Sequence, residues 1–255
     1  MEKYQIEEGE NLISIAKKLG VSVTDLMGIN EIIKPNNYFI GQELKIPKNQ
    51  VMLPSPPRLK MENLKQTVDV IINFLEGSKF KKQLDSTSKE NIGTLLYECI
   101  ELDVTDLRMV AYILATVLWE TNKTFRSREE IDKGRGKTYG IPDKRTGKVY
   151  FGRGFYKLAW YVNYERFTIL LNRLGFNIDL INKPELLLDP VIASKVLIIG
   201  MRDGKYTGRD LDDFFNLNKS DWYQARSILD ISYDKAVIIK SIAEELYYII
   251  KWFHN

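Results

Sequence analysis

The run Asp106-Leu107-Arg108-Met109-Val110-Ala111-Tyr112-Ile113-Leu114-Ala115-Thr116-Val117-Leu118-Trp119-Glu120-Thr121 decides how the larger part of this 255-residue chain is read. Leu107, Val110, Ala111, Leu114, Val117 and Leu118 recur every three or four positions, which places them on one face of an α-helix. Asp106 offers a side-chain acceptor to the first unpaired amides and so caps that helix. Leu64, Val68, Ile71, Ile72 and Leu75 repeat the pattern, as do Ile92, Leu95, Leu96 and Cys99. Further helices are expected over 156–174, 190–202, 222–229 and 233–253. From 130 to 150 the pattern lapses, and Gly134, Gly136, Gly140, Pro142 and Gly147 alternate with Lys and Arg. The spacing predicts a mainly α-helical module interrupted by a long loop that carries a small hairpin. Loops of that length in compact domains usually carry function.

Upstream, residues 49–60 contain Pro54-Ser55-Pro56-Pro57. Such a stretch favours extended geometry of about 3 Å per residue and reads as a semi-rigid linker. It separates a small module, 1–48, from the helical one, 61–255. In the small module Tyr4-Gln5-Ile6 alternates as a short strand, and Leu12, Ile15, Ala16 and Leu19 form a helix that stops at Gly20. Val21-Ser22-Val23-Thr24 opens a second helix through Leu26 and Ile29, and Ile40 to Pro47 closes as a strand. The order is strand, helix, helix, strand, an α+β module.

Tyr4 to Pro47 resembles a LysM domain over its whole length, through Glu8-Gly9-Glu10-Asn11-Leu12, the run Ile15 to Ser22, Asn30 and Gly41-Gln42-Glu43-Leu44-Lys45-Ile46-Pro47. The resemblance implies binding of polymers containing N-acetylglucosamine, chiefly peptidoglycan or chitin. It maps the sugar groove to Gly9, Glu10, Asn11, Asn30, Ile32 and Ile33. Read as residues alone, each of these could equally shape a turn. A module of some 45 residues buries too little surface to be ballast, so binding is its expected role.

In the helical module Glu120 follows Ile113 and Val117 on a three- and four-residue row, at the rim of the buried face. Partial desolvation there would favour the protonated carboxyl that a general acid requires. Glu129 and Glu130 come nine and ten residues later. A continuing helix would carry Glu129 about 13 Å away on the opposite face, so the chain must turn after Thr121 if the acids are to share a cleft. The residues alone are also compatible with solvated surface charge.

Downstream stands Tyr150-Phe151-Gly152-Arg153-Gly154-Phe155-Tyr156-Lys157-Leu158-Ala159-Trp160-Tyr161-Val162-Asn163-Tyr164. Its glycines admit close backbone approach, and its aromatics offer flat faces to sugar rings. This run resembles the tyrosine-glycine-arginine-glycine signature of glycoside hydrolase family 19 chitinases and their bacteriophage endolysin relatives. Trp119-Glu120-Thr121, Lys133 to Gly140, Asp189-Pro190 with Ala193, and Gly200 to Gly208 extend the resemblance over about Leu107 to Phe253.

The resemblance implies a mainly helical, lysozyme-like catalytic domain that cleaves β-1,4 bonds beside N-acetylhexosamines with inversion. It makes Glu120 the acid and Glu129, or Glu130, the base. Inversion places such carboxyls about 6.5 to 9.5 Å apart, one protonating the leaving oxygen and the other activating water on the opposite face of the sugar. Tyr150, Arg153, Lys157 and Asn163 take substrate-binding positions. Four departures stand out: Trp119 replaces a His, Lys157 a Gln, and Ala159 a water-positioning Ser or Thr, while Asp230-Ile231 replaces Asn-Gly. They point either to altered specificity or to a glycan-binding or structural component of a phage tail or injection particle without turnover.

Composition excludes much else. One cysteine, Cys99, and one histidine, His254 beside a terminus where chains usually fray, leave no Ser-His-Asp or Cys-His site and no ligand set for a zinc amidase. Chemistry is left to carboxylates, hydroxyls, Lys and Arg, and no cofactor or metal is expected. Lys and Arg total 37 against 34 acids, a net charge of +3 spread along the chain, so no nucleic acid partner is expected. No run of about 18 apolar residues exists, hence no membrane span. The N-terminus lacks a signal peptide's apolar stretch. The expectation is synthesis in the cytoplasm and action at the bacterial cell wall, as a released endolysin or from a virion.

Overall fold

In the computed structural model the residues described are 3–19, 21, 23–32, 39–46, 56–77, 83–230, 232–233 and 235–254. The chain divides into two compact units, Met1–Pro56 with Asn216–Lys219, and Pro57–Phe215 with Ser220–Asn255. Most of the expected linker, together with Gly20, Ser22 and Ile33, lies outside the described residues. Within the linker's last part, Leu59 N–H donates to Thr105 O and Leu107 N–H to Pro57 O.

The first unit runs β1 (Lys3–Gln5), α1 (Leu12–Leu19), α2 (Val23–Ile29) and β2 (Glu43–Lys45). The strands pair antiparallel, Tyr4 opposite Leu44. Ile6, Leu12, Ile15, Leu26 and Leu44 are almost fully buried and form its core. Removing such side chains from water stabilises by roughly 1.5–3 kcal/mol each. Asn11 and Ser14 exchange hydrogen bonds that cap α1: Asn11 Oδ1 accepts from Ser14 N–H and Ser14 Oγ from Asn11 N–H.

The second unit contains α3 (Leu64–Gly77), α4 (Ser86–Glu101), α5 (Leu107–Glu120), α6 (Tyr161–Arg173), α7 (Pro190–Arg202) and α8 (Ala236–Trp252). α8 lies along α5, and α4 packs between α3 and α7. Asp85, Asp106 and Asp189 cap α4, α5 and α7 by accepting backbone N–H bonds. α5 was expected to bury one face, yet every residue except Met109 and Trp119 is buried. The face opposite the predicted one, with Tyr112, Ile113 and Thr116, is covered as well, so α5 is the central helix.

Several expectations are corrected. The hairpin is not in the long loop but between β3 (Phe215–Asn216) and β4 (Lys219–Ser220). The long loop holds a one-turn 3₁₀ segment, Thr138–Gly140, and the run that follows it carries a bridge between Arg153 and Leu158. α6 begins at Tyr161, not 156, because Lys157 and Trp160 sit at φ of 56° and 74°, which no helix tolerates. Residues 222–229 form only a 3₁₀ turn, Gln224–Ile228, and α8 starts after Tyr233, whose φ is 56°. His254 does not fray: its Nε2 lies 2.9 Å from Thr67 Oγ1. Burial beside α3, with Lys60 nearby, holds its pKa below the usual imidazole value. No described helix is long and apolar enough to cross a membrane.

Candidate active site

Glu120 is the last residue of α5. Its helix ends there because Asn122, Lys123 and Phe125 all take left-handed φ values, 53°, 63° and 49°. Thr121 fixes the turn, its hydroxyl donating to Val117 O and accepting from Phe125 N–H. The chain thus reverses after Thr121, and Arg128 Nη2 reaches back to donate to Glu120 O at 3.2 Å. Glu129 is the next residue along the chain.

The two glutamates occupy different surroundings. Glu120 is 9% exposed and its Oε1 accepts from Arg226 Nη1 at 3.3 Å. Arg226, itself buried, extends Nη2 to Asp230 at 3.5 Å, so one guanidinium spans two carboxylates. Sequence reasoning expected burial of Glu120 and missed this cation, which arrives from 106 positions downstream. Asp230 is held below the usual carboxylate range, first by the N–H of Ser232. Tyr112 Oη, Thr116 Oγ1 and Arg226 Nε are buried without a protein hydrogen-bond partner. Tyr112, Thr116 and Glu120 follow one i, i+4 row, so the face of α5 leading to the carboxyl is polar.

Glu129 is partly exposed and held by two cations, Lys133 Nζ at 2.9 Å and Arg153 Nε at 3.2 Å. The hydrogen bond from Lys133, followed by that from Arg153, keeps its pKa below the usual carboxylate value against the opposing effect of burial. Glu130 faces a different set of groups. Its Oε1 accepts from Gly152 N–H at 3.1 Å, its Oε2 from Tyr139 Oη at 3.1 Å, and its own N–H donates to Gly152 O. Its carboxyl is therefore occupied in tying the loop to the signature run.

Gly152 sits where a Cβ would lie 3.0 Å from Lys157 Cβ and 3.3 Å from Glu130 Oε2, so a larger residue would push both strands of the loop apart. Arg153, 7% exposed, donates to Val149 O and Tyr164 Oη and lies 3.6 Å over the Phe151 ring while holding Glu129. Tyr150 is buried, its hydroxyl donating to Ile181 O and bonded to Thr146. Asn163 Nδ2 donates to Ala159 O at 2.8 Å. Lys157 lies half-buried at the apex of the Arg153–Leu158 turn. A groove of about 420 Å³ beside the end of α5, lined by Leu118, Trp119, Val237, Ile238 and Ser241, contains neither glutamate.

In the first unit Glu10 accepts from Tyr4 Oη at 2.6 Å, Lys18 Nζ at 3.1 Å and Glu7 N–H. The Tyr4 hydrogen bond, above all, holds its pKa down. Asn30 ties α2 to β2, donating to Leu26 O and Lys45 O and accepting from Lys45 N–H. Asn11 caps α1, Gly9 makes an exposed turn at φ 83°, and Ile32 is buried.

Residues 4–47 match the LysM domain family, and this segment is a LysM domain. The chain is also similar to three solved chitinases. With chitinase C from Streptomyces griseus HUT6037 it shares 18% identity and a TM-score of 0.42, over 76% of this chain and 85% of that one. With a Family GH19, Class IV chitinase from Zea mays the values are 17% and 0.39, over 76% and 82%. With a bacterial family 19 chitinase they are 16% and 0.35, over 78% and 90%.

Proposed function

We propose that this protein is a cell-wall glycan hydrolase anchored to its polymer by the LysM domain. In this reading residues 1–48 bind N-acetylglucosamine-containing chains, 49–60 act as linker, and 61–255 cleave the β-1,4 bond by inversion. The observation that carries it is the contrast in surroundings between two glutamates on either side of the turn at Thr121. Glu120 is buried, with Oε1 on Arg226 and Oε2 without a hydrogen bond among the described residues. With glycan bound, Glu120 takes up a proton on Oε2 and passes it to the leaving oxygen, and Arg226 pairs with the carboxylate before and after that transfer. Glu129, kept ionised by Lys133 and Arg153 and open to solvent, accepts the proton of the attacking water. Glu130 is assigned a structural part, because its carboxyl pins Gly152 N–H and Tyr139 Oη across the loop.

Holding a weakly bound, insoluble polymer by a second module raises its effective concentration at the cleft. The protein then acts at the bacterial wall, as a released endolysin or as part of a phage particle. A second reading is a glycan-binding or structural component of a phage tail or injection particle. It draws on Ala159, which has no hydroxyl for the water, and on Asn163, whose amide is engaged by Ala159 O.

Turbidity loss of purified bacterial wall separates the readings. Wild type is expected to clear, and Glu120→Gln and Glu129→Gln are expected not to. Equal clearing by all three sinks the assignment, and absence of clearing by wild type with retained wall pull-down favours the second reading. Mass analysis of the released fragments shows whether a new reducing sugar end is made.

A further inference from the structure

Within the signature run the aromatic side chains separate sharply by exposure. Tyr150, Phe151, Phe155 and Tyr164 are buried, whereas Trp160 is 47% exposed. Tyr156 and Tyr161 are half-buried and spend their hydroxyls on Leu229 O and Glu165. Trp160 also has a φ of 74°, a conformation that bulky residues rarely adopt. Its backbone is braced on both sides: its N–H donates to Tyr150 O at 2.8 Å, and its carbonyl accepts from Asn163 and Tyr164 N–H. The preceding carbonyl, of Ala159, is held by Asn163 Nδ2. Packing does not require a tryptophan at an exposed position, and a glycine would adopt this angle without strain. Strain retained by such bracing points to function.

Tyr139 packs edge-on against the indole, ring centroids 5.3 Å apart at 68°. Its hydroxyl donates to Glu130, the neighbour of Glu129. A chain of contacts therefore links the exposed indole to the candidate base through Tyr139 and Glu130. An indole steadied by this contact and still 47% exposed keeps flat apolar surface open to solvent, and the axial C–H face of a β-linked hexosamine is the matching surface.

We propose that Trp160, steadied by Tyr139, is a stacking platform for one N-acetylhexosamine ring of the bound glycan. The inference rests on the proposed hydrolase reading for the nature of the polymer, and not for the presence of turnover. Tyr139 and Trp160 are positioned so that the platform and Glu129 belong to one loop system, which would set how the chain lies relative to the base.

Residues 4–47 contain no tryptophan, so indole emission reports on the second unit alone. The full chain carrying Glu120→Gln, which leaves the probe intact, is titrated with the N-acetylglucosamine hexamer. Its emission should shift and become protected from iodide, and both changes should vanish when Trp160→Phe is added. In the otherwise wild-type chain, Trp160→Gly relieves the φ strain and should fold normally. It should raise KM for wall glycan roughly ten-fold with kcat within about three-fold. Trp160→Phe should restore KM.

An emission change that survives Trp160→Phe, or a KM unmoved by Trp160→Gly, overturns the platform. A Trp160 signal in a chain that never cleaves wall leaves the platform standing and removes the hydrolase reading. Cleavage without that signal does the reverse.

Discussion

Replacing Arg226 by Met keeps the length of the side chain and removes the cation that faces Glu120 and Asp230. The two carboxylates respond differently because their exposures differ. The Asp230 side chain is 39% exposed and water can take over, whereas Glu120 is 9% exposed and loses the one ion-pair partner it has among the described residues. Leaving a buried charge without its partner costs about 3–5 kcal/mol. At ~2–4 °C per kcal/mol for a domain of this size, the second unit's melting temperature should fall by roughly 6–20 °C. The assay is thermal unfolding of wild type, Arg226→Met, Glu120→Gln and the double variant. If the penalty is the stranded carboxylate, the double variant should recover much of the loss, with a coupling of about 1–3 kcal/mol. A melting temperature within about 2 °C of wild type for Arg226→Met, or simple additivity in the double variant, would refute the argument.

Lys133→Ala should move the acid limb of the kcat/KM profile to higher pH. Glu129 works as the carboxylate, present above its pKa, and the Lys133 hydrogen bond is the first cause holding that pKa down. An unmoved limb would assign the base elsewhere. Gly140→Ala places a Cβ 1.8 Å from Gly134 O, a backbone clash that should destabilise the loop by about 1–3 kcal/mol. Activity should drop while wall pull-down is retained, and unchanged activity would show that the loop crossing does not organise the site. Asn30→Ala removes two hydrogen bonds to β2 and one to α2, at about 1 kcal/mol each. Wall pull-down should fail while soluble oligosaccharide is still cleaved, and intact pull-down would contradict the anchoring role.

Helices α3 to α5 and α7 were legible in the chain because apolar spacing and an aspartate cap are local signals, carried within one or two turns. The cap at Asp106 falls where that signal put it, and Asp189 caps α7 in the same way. α6 and α8 began later than their periodicity implied. Lys157, Trp160 and Tyr233 adopt left-handed backbone angles that no pattern of side-chain hydrophobicity announces. The hairpin was misplaced for a related reason: the glycines of the long loop serve close crossings, Gly134 against Gly140 and Gly152 against Lys157, and not strand turns.

Residue inventory alone narrowed the chemistry to carboxylates, since an absent side chain cannot be supplied by folding. It likewise carried the LysM segment, whose short elements follow local patterns. Folding was needed to give Glu129 and Glu130, adjacent residues of identical chemistry, different neighbours. The same holds for Arg226, which meets Glu120 across 106 positions, and for Trp160, the exposed aromatic in a run of mostly buried ones. These are long-range facts, set by which segments pack together, and sequence spacing carries no record of them.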